Sequence, residues 1–183
     1  MRTLGQRTAL GRRAFLFGAS AALGGLPATP ASAFLRRTQE PEAAEPRSLL
    51  MINQRTDEVF NEVYFDGREY LPGSLERFAH FARDLRTGEF GEMDPHLLDL
   101  ACDIQRLAGA DEPLILTHGF RSSSRNVRGG AANSHHLHGQ ALDITHRSLG
   151  ARALHQRAAA LGRGGLGRYS TFIHIDTGET RRW

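Results

Sequence analysis

Ser134-His135-His136-Leu137-His138-Gly139-Gln140-Ala141-Leu142-Asp143 gathers three imidazoles, a glycine and a carboxylate into one short stretch. As backbone it reads as a turn that becomes a strand. Gly139 lets the chain turn tightly after His136. Gln140 to Thr145 has the composition of a strand, in which Ala141 and Asp143 are two apart and share a face. The small Ala141 leaves room above that strand, and the Asp143 carboxylate points into it. Further along, Phe172-Ile173-His174-Ile175-Asp176-Thr177-Gly178 belongs to a last strand, Thr171 to Asp176, which as a neighbour presents His174 to the same space. Two imidazoles and one carboxylate make a three-ligand set with a position left for water, the make-up of a catalytic rather than a closed structural zinc site.

Around these two stretches the chain alternates short apolar runs with helical patterns. Leu49 to Ile52 is a candidate strand, and Val59 to Phe65, β-branched and aromatic and followed by Asp66-Gly67, is its hairpin partner. Ser74 has the chemistry of an N-cap ahead of Leu75, Phe78, Phe81, Ala82 and Leu85 at helical spacing. Asp94-Pro95 opens a second helix, with proline where no backbone donor is needed and a buried stripe of Leu97, Leu98, Ala101, Ile104 and Leu107. Pro113 to Thr117 reads as a buried strand, Ser122 to Ser134 as a loop, Leu149 to Leu161 as a helix, and a Gly-rich turn leads into the last strand. Helices come first and most strands later. The expected class is therefore α+β, one small domain with helices packed on a mostly antiparallel sheet.

The first 33 residues read as an address rather than as fold. Arg2, Arg7, Arg12 and Arg13 precede an apolar run, Ala14 to Leu26, too short to span a bilayer, and Ala31-Ser32-Ala33 supplies small residues for cleavage. Arg12-Arg13 before Ala14-Phe15-Leu16 resembles a twin-arginine signal. A polar, proline-bearing leader, 34–47, then precedes a domain over 48–183. The whole chain carries a net charge of +3, so removing the four signal arginines leaves −1. A basic face for nucleic acid is thereby excluded as an expectation. Cys102 is the only cysteine, so no internal disulfide forms, and its apolar helical setting marks it as buried. No later segment is apolar enough to cross a membrane.

The pattern S-x-H-x-x-G-x-A-x-D at Ser134 to Asp143, the distant H-x-D of His174 and Asp176, and Gly119-Phe120-Arg121-Ser122 upstream resemble the M15 family of zinc D-Ala-D-Ala-type peptidases. The similarity is to the exported branch known as DUF882, which includes murein endopeptidases. It runs from about Leu49 to the C-terminus. The resemblance implies a hedgehog/D-Ala-D-Ala-peptidase-like fold, zinc held by His136, Asp143 and His174, and Arg121 on substrate. It further implies peptidoglycan peptides as substrate and the periplasm or cell envelope as location. A monomer is expected.

Four residues depart from that pattern, two of them His135 and His138, extra imidazoles beside the expected ligand His136. His118 stands where many members have serine, and Thr171 stands where some relatives carry an acidic base. Asp176, two residues beyond His174 and so on the same strand face, is the expected general base. The alternative for Asp176 is to orient a histidine, and the alternative base is His118. A catalytically inert zinc module that clamps wall peptides is the rival to a peptidase, supported by Thr171. A metal-storage role for His135, His136 and His138 is a further rival, which leaves Asp143, Arg121 and His174 without a task.

Overall fold

A computed structural model of the protein describes residues 43–123 and 133–183, all within one compact unit. The signal, the first part of the leader and most of the Ser122–Ser134 loop lie outside the described residues. The described part opens with the expected hairpin, β1 (Arg47–Asn53) antiparallel to β2 (Val59–Phe65). Two helices follow, α1 (Pro72–Phe81) and α2 (Pro95–Gly109). Then come β3 (Leu114–His118), β4 (Ala141–His146), α3 (Ala151–Ala159), β5 (Gly165–Arg168), β6 (Ile173–Asp176) and β7 (Arg181–Arg182).

The strands form one sheet of order β2-β1-β3-β4-β6-β5-β7, in which β1–β3 and β5–β7 are parallel and the other four pairs antiparallel. Period-2 alternation divides its faces. Leu49, Met51, Leu114, Leu116, Leu142, Ile144, Leu166, Ile173 and Ile175 enter the buried core together with Leu97, Leu98, Ile104 and Leu154 of the helices. Asp143, His174 and Asp176 occupy the alternate positions of β4 and β6 and so face the other way. Among the described residues no helix is long and apolar enough to cross a membrane.

Several local expectations change. The first helix begins at Pro72, and Ser74 lies inside it, where its hydroxyl donates to the Val63 carbonyl at 2.8 Å and ties the helix to β2. That helix ends at Phe81, so Leu85 falls beyond it. Asp94 does cap α2, accepting from the His96 amide at 2.9 Å, but Leu107 is 42% exposed and leaves the buried stripe after Ile104. Cys102 is buried. The Gly-rich turn contains strand β5, and the strand read as the last is followed by β7.

Candidate metal centre

His136 reaches the site from a 3-10 turn, His135–His138, whose last residue is followed by Gly139 at φ 65°. A side chain is excluded at Gly139, because a Cβ there would stand 2.0 Å from the Glu92 carbonyl oxygen. Three residues per turn put His135 and His138 on one side and send His136 to another. His136 is 3% exposed, whereas His138 is exposed and His135 bonds Gln140 at 3.2 Å. The histidine run therefore does not act as one cluster. Only His136 of the three joins Asp143 and His174 in the group able to hold an ion, the one such group among the described residues.

Asp143 and His174 are direct cross-strand partners of β4 and β6. His174 Nδ1 lies 2.9 Å from Asp143 Oδ1, His136 Nε2 3.2 Å from His174 Nδ1, and His136 Nε2 3.4 Å from Asp143 Oδ1. A tetrahedral ion with ligands about 2.0–2.1 Å away holds its ligand atoms about 3.3 Å apart, so this triangle has the right size.

The outward nitrogens decide what the inward ones present. His136 Nδ1 is 2.7 Å from the Gly119 carbonyl oxygen, which only accepts, so that nitrogen carries the proton. His174 Nε2 is 3.1 Å from Asp176 Oδ2. Burial pushes the Asp176 carboxyl up, but hydrogen bonds from His174 and the Gly178 amide and the charge of Arg181 outweigh it and hold it well below the usual carboxylate range. Ionised Asp176 accepts, so His174 donates from Nε2. In neutral rings the two inward nitrogens are then bare lone pairs. With Asp143 Oδ1 they make three acceptors facing one another, an arrangement that calls for a cation. Tying the far nitrogen of each ligand histidine to an acceptor is how proteins fix tautomer and ring at metal sites.

Burial works to lower the His174 pKa, but hydrogen bonds to Asp143 and Asp176 outweigh it and raise it. Burial likewise pushes the Asp143 carboxyl up, while the imidazoles of His118, His136 and His174 keep it well below the usual range.

His118 arrives by an irregularity. Leu116 pairs with Ile144, yet His118 rather than Thr117 pairs with Asp143, so β3 carries an extra residue there. A bulge of this kind re-aims a side chain. Parity alone would have sent His118 to the core with Leu116. Instead its Nδ1 stands 3.5 Å from Asp143 Oδ2, with the side chain one-third exposed.

Asp176 is fully buried. Oδ1 accepts from Gly178 N at 2.8 Å, Arg181 Nη1 at 3.1 Å and Gly165 N at 3.3 Å. Oδ2 accepts from Arg181 Nη2 at 2.7 Å and from His174. Sequence reasoning did not single out Arg181, and nothing in its spacing marks it. Gly165 lies opposite Asp176, and a Cβ there would come 2.2 Å from Oδ2, so this glycine makes the space that the carboxylate fills. Thr171 is exposed at the turn before β6 and belongs to no part of this network.

The Arg121 amide donates to the His136 carbonyl at 3.0 Å, which pins the segment carrying Arg121 to the turn carrying His136. Arg121 lines a cavity of about 310 Å3 together with His118, Arg55, Arg83, Arg86 and the buried Asp84. Arg83 is committed to Glu58 at 2.9 Å. Among the described residues the guanidinium of Arg121 has no acidic partner, and arginines outnumber the one acid, Asp84, on the wall of the cavity beside His118.

Known proteins resemble this chain over most of its length. An M15 peptidase family model, described as peptidoglycan L,D-endopeptidase MepK, matches residues 41–183. Peptidoglycan L,D-endopeptidase MepK of Escherichia coli (strain K12) is 36% identical over 146 residues, covering 75% of this chain and 80% of that protein. The protein of the same name from Shigella flexneri matches to the same extent. A probable peptidoglycan L,D-endopeptidase MepK from Haemophilus influenzae is 33% identical over 148 residues, covering 76% of this chain and 80% of that one.

Proposed function

Because the chain belongs to the M15 peptidase family of peptidoglycan L,D-endopeptidase MepK, we propose that it is an exported zinc endopeptidase that cuts peptide cross-links of peptidoglycan. The observation that carries the reading is the convergence of three acceptor atoms, from His136, Asp143 and His174, with both outer histidine nitrogens tied down. Zinc held there supplies Lewis acidity that brings the pKa of water to about 7. All three ligands come from one chain, which supports action as a monomer. Residues 1–33 act as the export signal, for the reasons of charge, apolar length and small residues given above. Export brings the protein to where peptidoglycan is.

The protein's own groups divide the remaining work. His136 and His174 keep their lone pairs aimed inward. Asp176, held by donors on both oxygens, orients His174 and has no free oxygen for a reacting proton. Proton transfer falls to His118, partly exposed and beside Asp143. Arg121 binds a substrate carboxylate or polarises the scissile carbonyl through its planar fork, which lysine does not reproduce.

Purified sacculi treated with the mature protein are expected to lose cross-linked muropeptides and gain monomers. A chelator should stop the change and zinc should restore it. An unaltered muropeptide profile with fully metal-loaded protein leaves the inert peptide-clamping module in its place. Arg121→Lys is expected to keep one zinc per chain while kcat/KM falls about 10- to 100-fold, the worth of a charged hydrogen bond. Unchanged kinetics would return Arg121 to the ordinary surface.

A further inference from the structure

Three aromatic rings border the metal centre and have no part in the roles above. Trp183 is the only tryptophan of the chain and is 50% exposed, yet it is firmly seated. Its ring centroid lies 5.5 Å from that of His174. The indole occupies the space left by Gly167, the cross-strand partner of His174, where a Cβ would come 2.5 Å from Trp183 Cε2. The Trp183 carbonyl accepts from the Arg168 amide at 3.0 Å, and its amide donates to Leu166 at 3.3 Å. The indole N–H donates to the Tyr169 hydroxyl at 3.3 Å. Tyr169, 43% exposed, stacks on Phe172 with centroids 4.6 Å apart, and Phe172 stands edge-on to His118 at 6.5 Å. Arg181 lies over the Trp183 ring at 5.1 Å while its fork holds Asp176.

The rings therefore run from His174 to His118, along one side of the space where a peptide would meet the metal. Scattered exposed aromatics need no explanation. Here a half-exposed indole is locked in place, with a glycine reserved for it, beside a proposed ligand. Rigid aromatic walls with a few aimed polar groups are how small-molecule and peptide sites are built.

We propose that Trp183, Tyr169 and Phe172 form a substrate subsite that takes the hydrocarbon part of the residue flanking the scissile bond, an alanyl methyl or the methylene chain of a diamino acid. The proposal rests on the peptidase reading above. The wall takes a peptide residue rather than a sugar because of reach. One extended residue spans about 3.3–3.6 Å, so anything against a ring 5.5 Å from His174 lies within one or two residues of the bond being cut. The sugars of peptidoglycan stand at the other end of the stem peptide from its cross-link.

Because Trp183 is the sole tryptophan, the emission of the wild-type protein reports this wall directly. Titration of the zinc-loaded protein with a sugar-free stem tetrapeptide, one half of a cross-linked pair, is expected to give a saturable emission change. Trp183→Ala should raise KM about tenfold, the scale of an aromatic contact, with kcat within about threefold and zinc still at one per chain. Trp183→Phe should recover most of the loss. Emission indifferent to saturating tetrapeptide overturns the proposal. So does a Trp183→Ala protein with unchanged KM, or one whose defect is lost zinc or lost kcat, since Trp183 then only props His174. Absence of hydrolysis by the wild-type protein bears on the peptidase reading alone, and the emission titration still decides the wall.

Discussion

Alanine at His136, Asp143 or His174 is expected to lower zinc affinity by about 100- to 1000-fold each, whereas His138→Ala leaves it unchanged. The size follows from sharing an apparent zinc free energy of about 10–16 kcal/mol over four bonds, about 2.5–4 kcal/mol per ligand. The pattern matters more than the size. All three inward atoms lie within 4.8 Å of one another, and each has one neighbour on either side of the triangle. Loss of any one leaves two ligands where three converged. His138 has none of that geometry, since the 3-10 turn sends it to the surface while His136 goes inward. Zinc content after dialysis and competition with a colorimetric chelator measure the effect. Retention of zinc by His136→Ala together with its loss from His135→Ala or His138→Ala would show that the histidine run binds in another register.

The strands that carry the proposed ligands were legible because their sequence obeys period 2. Leu142 and Ile144 alternate with Asp143, and Ile173 and Ile175 alternate with His174, so one face is apolar and the other chemical. The α2 cap was legible because Asp94-Pro95 offers an acceptor followed by a residue without a donor. Other features have no local signature. Ser74 has cap chemistry, but proline two residues earlier starts the helix and leaves its hydroxyl to a neighbouring strand. β5 hides in a glycine-rich segment because Gly165 and Gly167 make room for the Asp176 carboxylate and the Trp183 indole, contacts that only the folded sheet brings together. His118 stands against Asp143 through a one-residue bulge, and a bulge shifts register without changing composition. Arg181 and Trp183 follow the last recognisable motif and act through β7, a strand of two residues, too short to show any period.

Asp176→Asn is expected to weaken zinc about 10- to 100-fold, the usual effect of losing a partner that orients a metal ligand. The substitution is nearly isosteric, so the argument turns on donors and acceptors. Oδ1 meets the Gly178 amide, the Gly165 amide and Arg181 Nη1, and Oδ2 meets Arg181 Nη2 and His174 Nε2. Every one of these partners donates. An asparagine has one acceptor atom and one NH2, so in either orientation its NH2 faces donors. With the NH2 toward His174, Nε2–H loses its acceptor, the imidazole is free to change tautomer, and the lone pair on Nδ1 is no longer assured. With the NH2 on the other side, the backbone turn at Gly178 gives way instead, and the strand end carrying Asp176 shifts with it. Both outcomes reach the metal through His174, and kcat at saturating zinc should change much less than the affinity. His118→Ala is the opposite case. It removes a ring 3.5 Å from Asp143 Oδ2 that is not one of the three converging ligands, so zinc should remain while kcat falls about 100-fold or more. Measured together, zinc affinity and kcat separate the two residues. A kcat collapse at full zinc occupancy in Asp176→Asn, beside full activity in His118→Ala, would make Asp176 the base after all. That result would require its carboxylate to leave five donors and full burial during turnover, each a cost that the folded protein shows no means of offsetting.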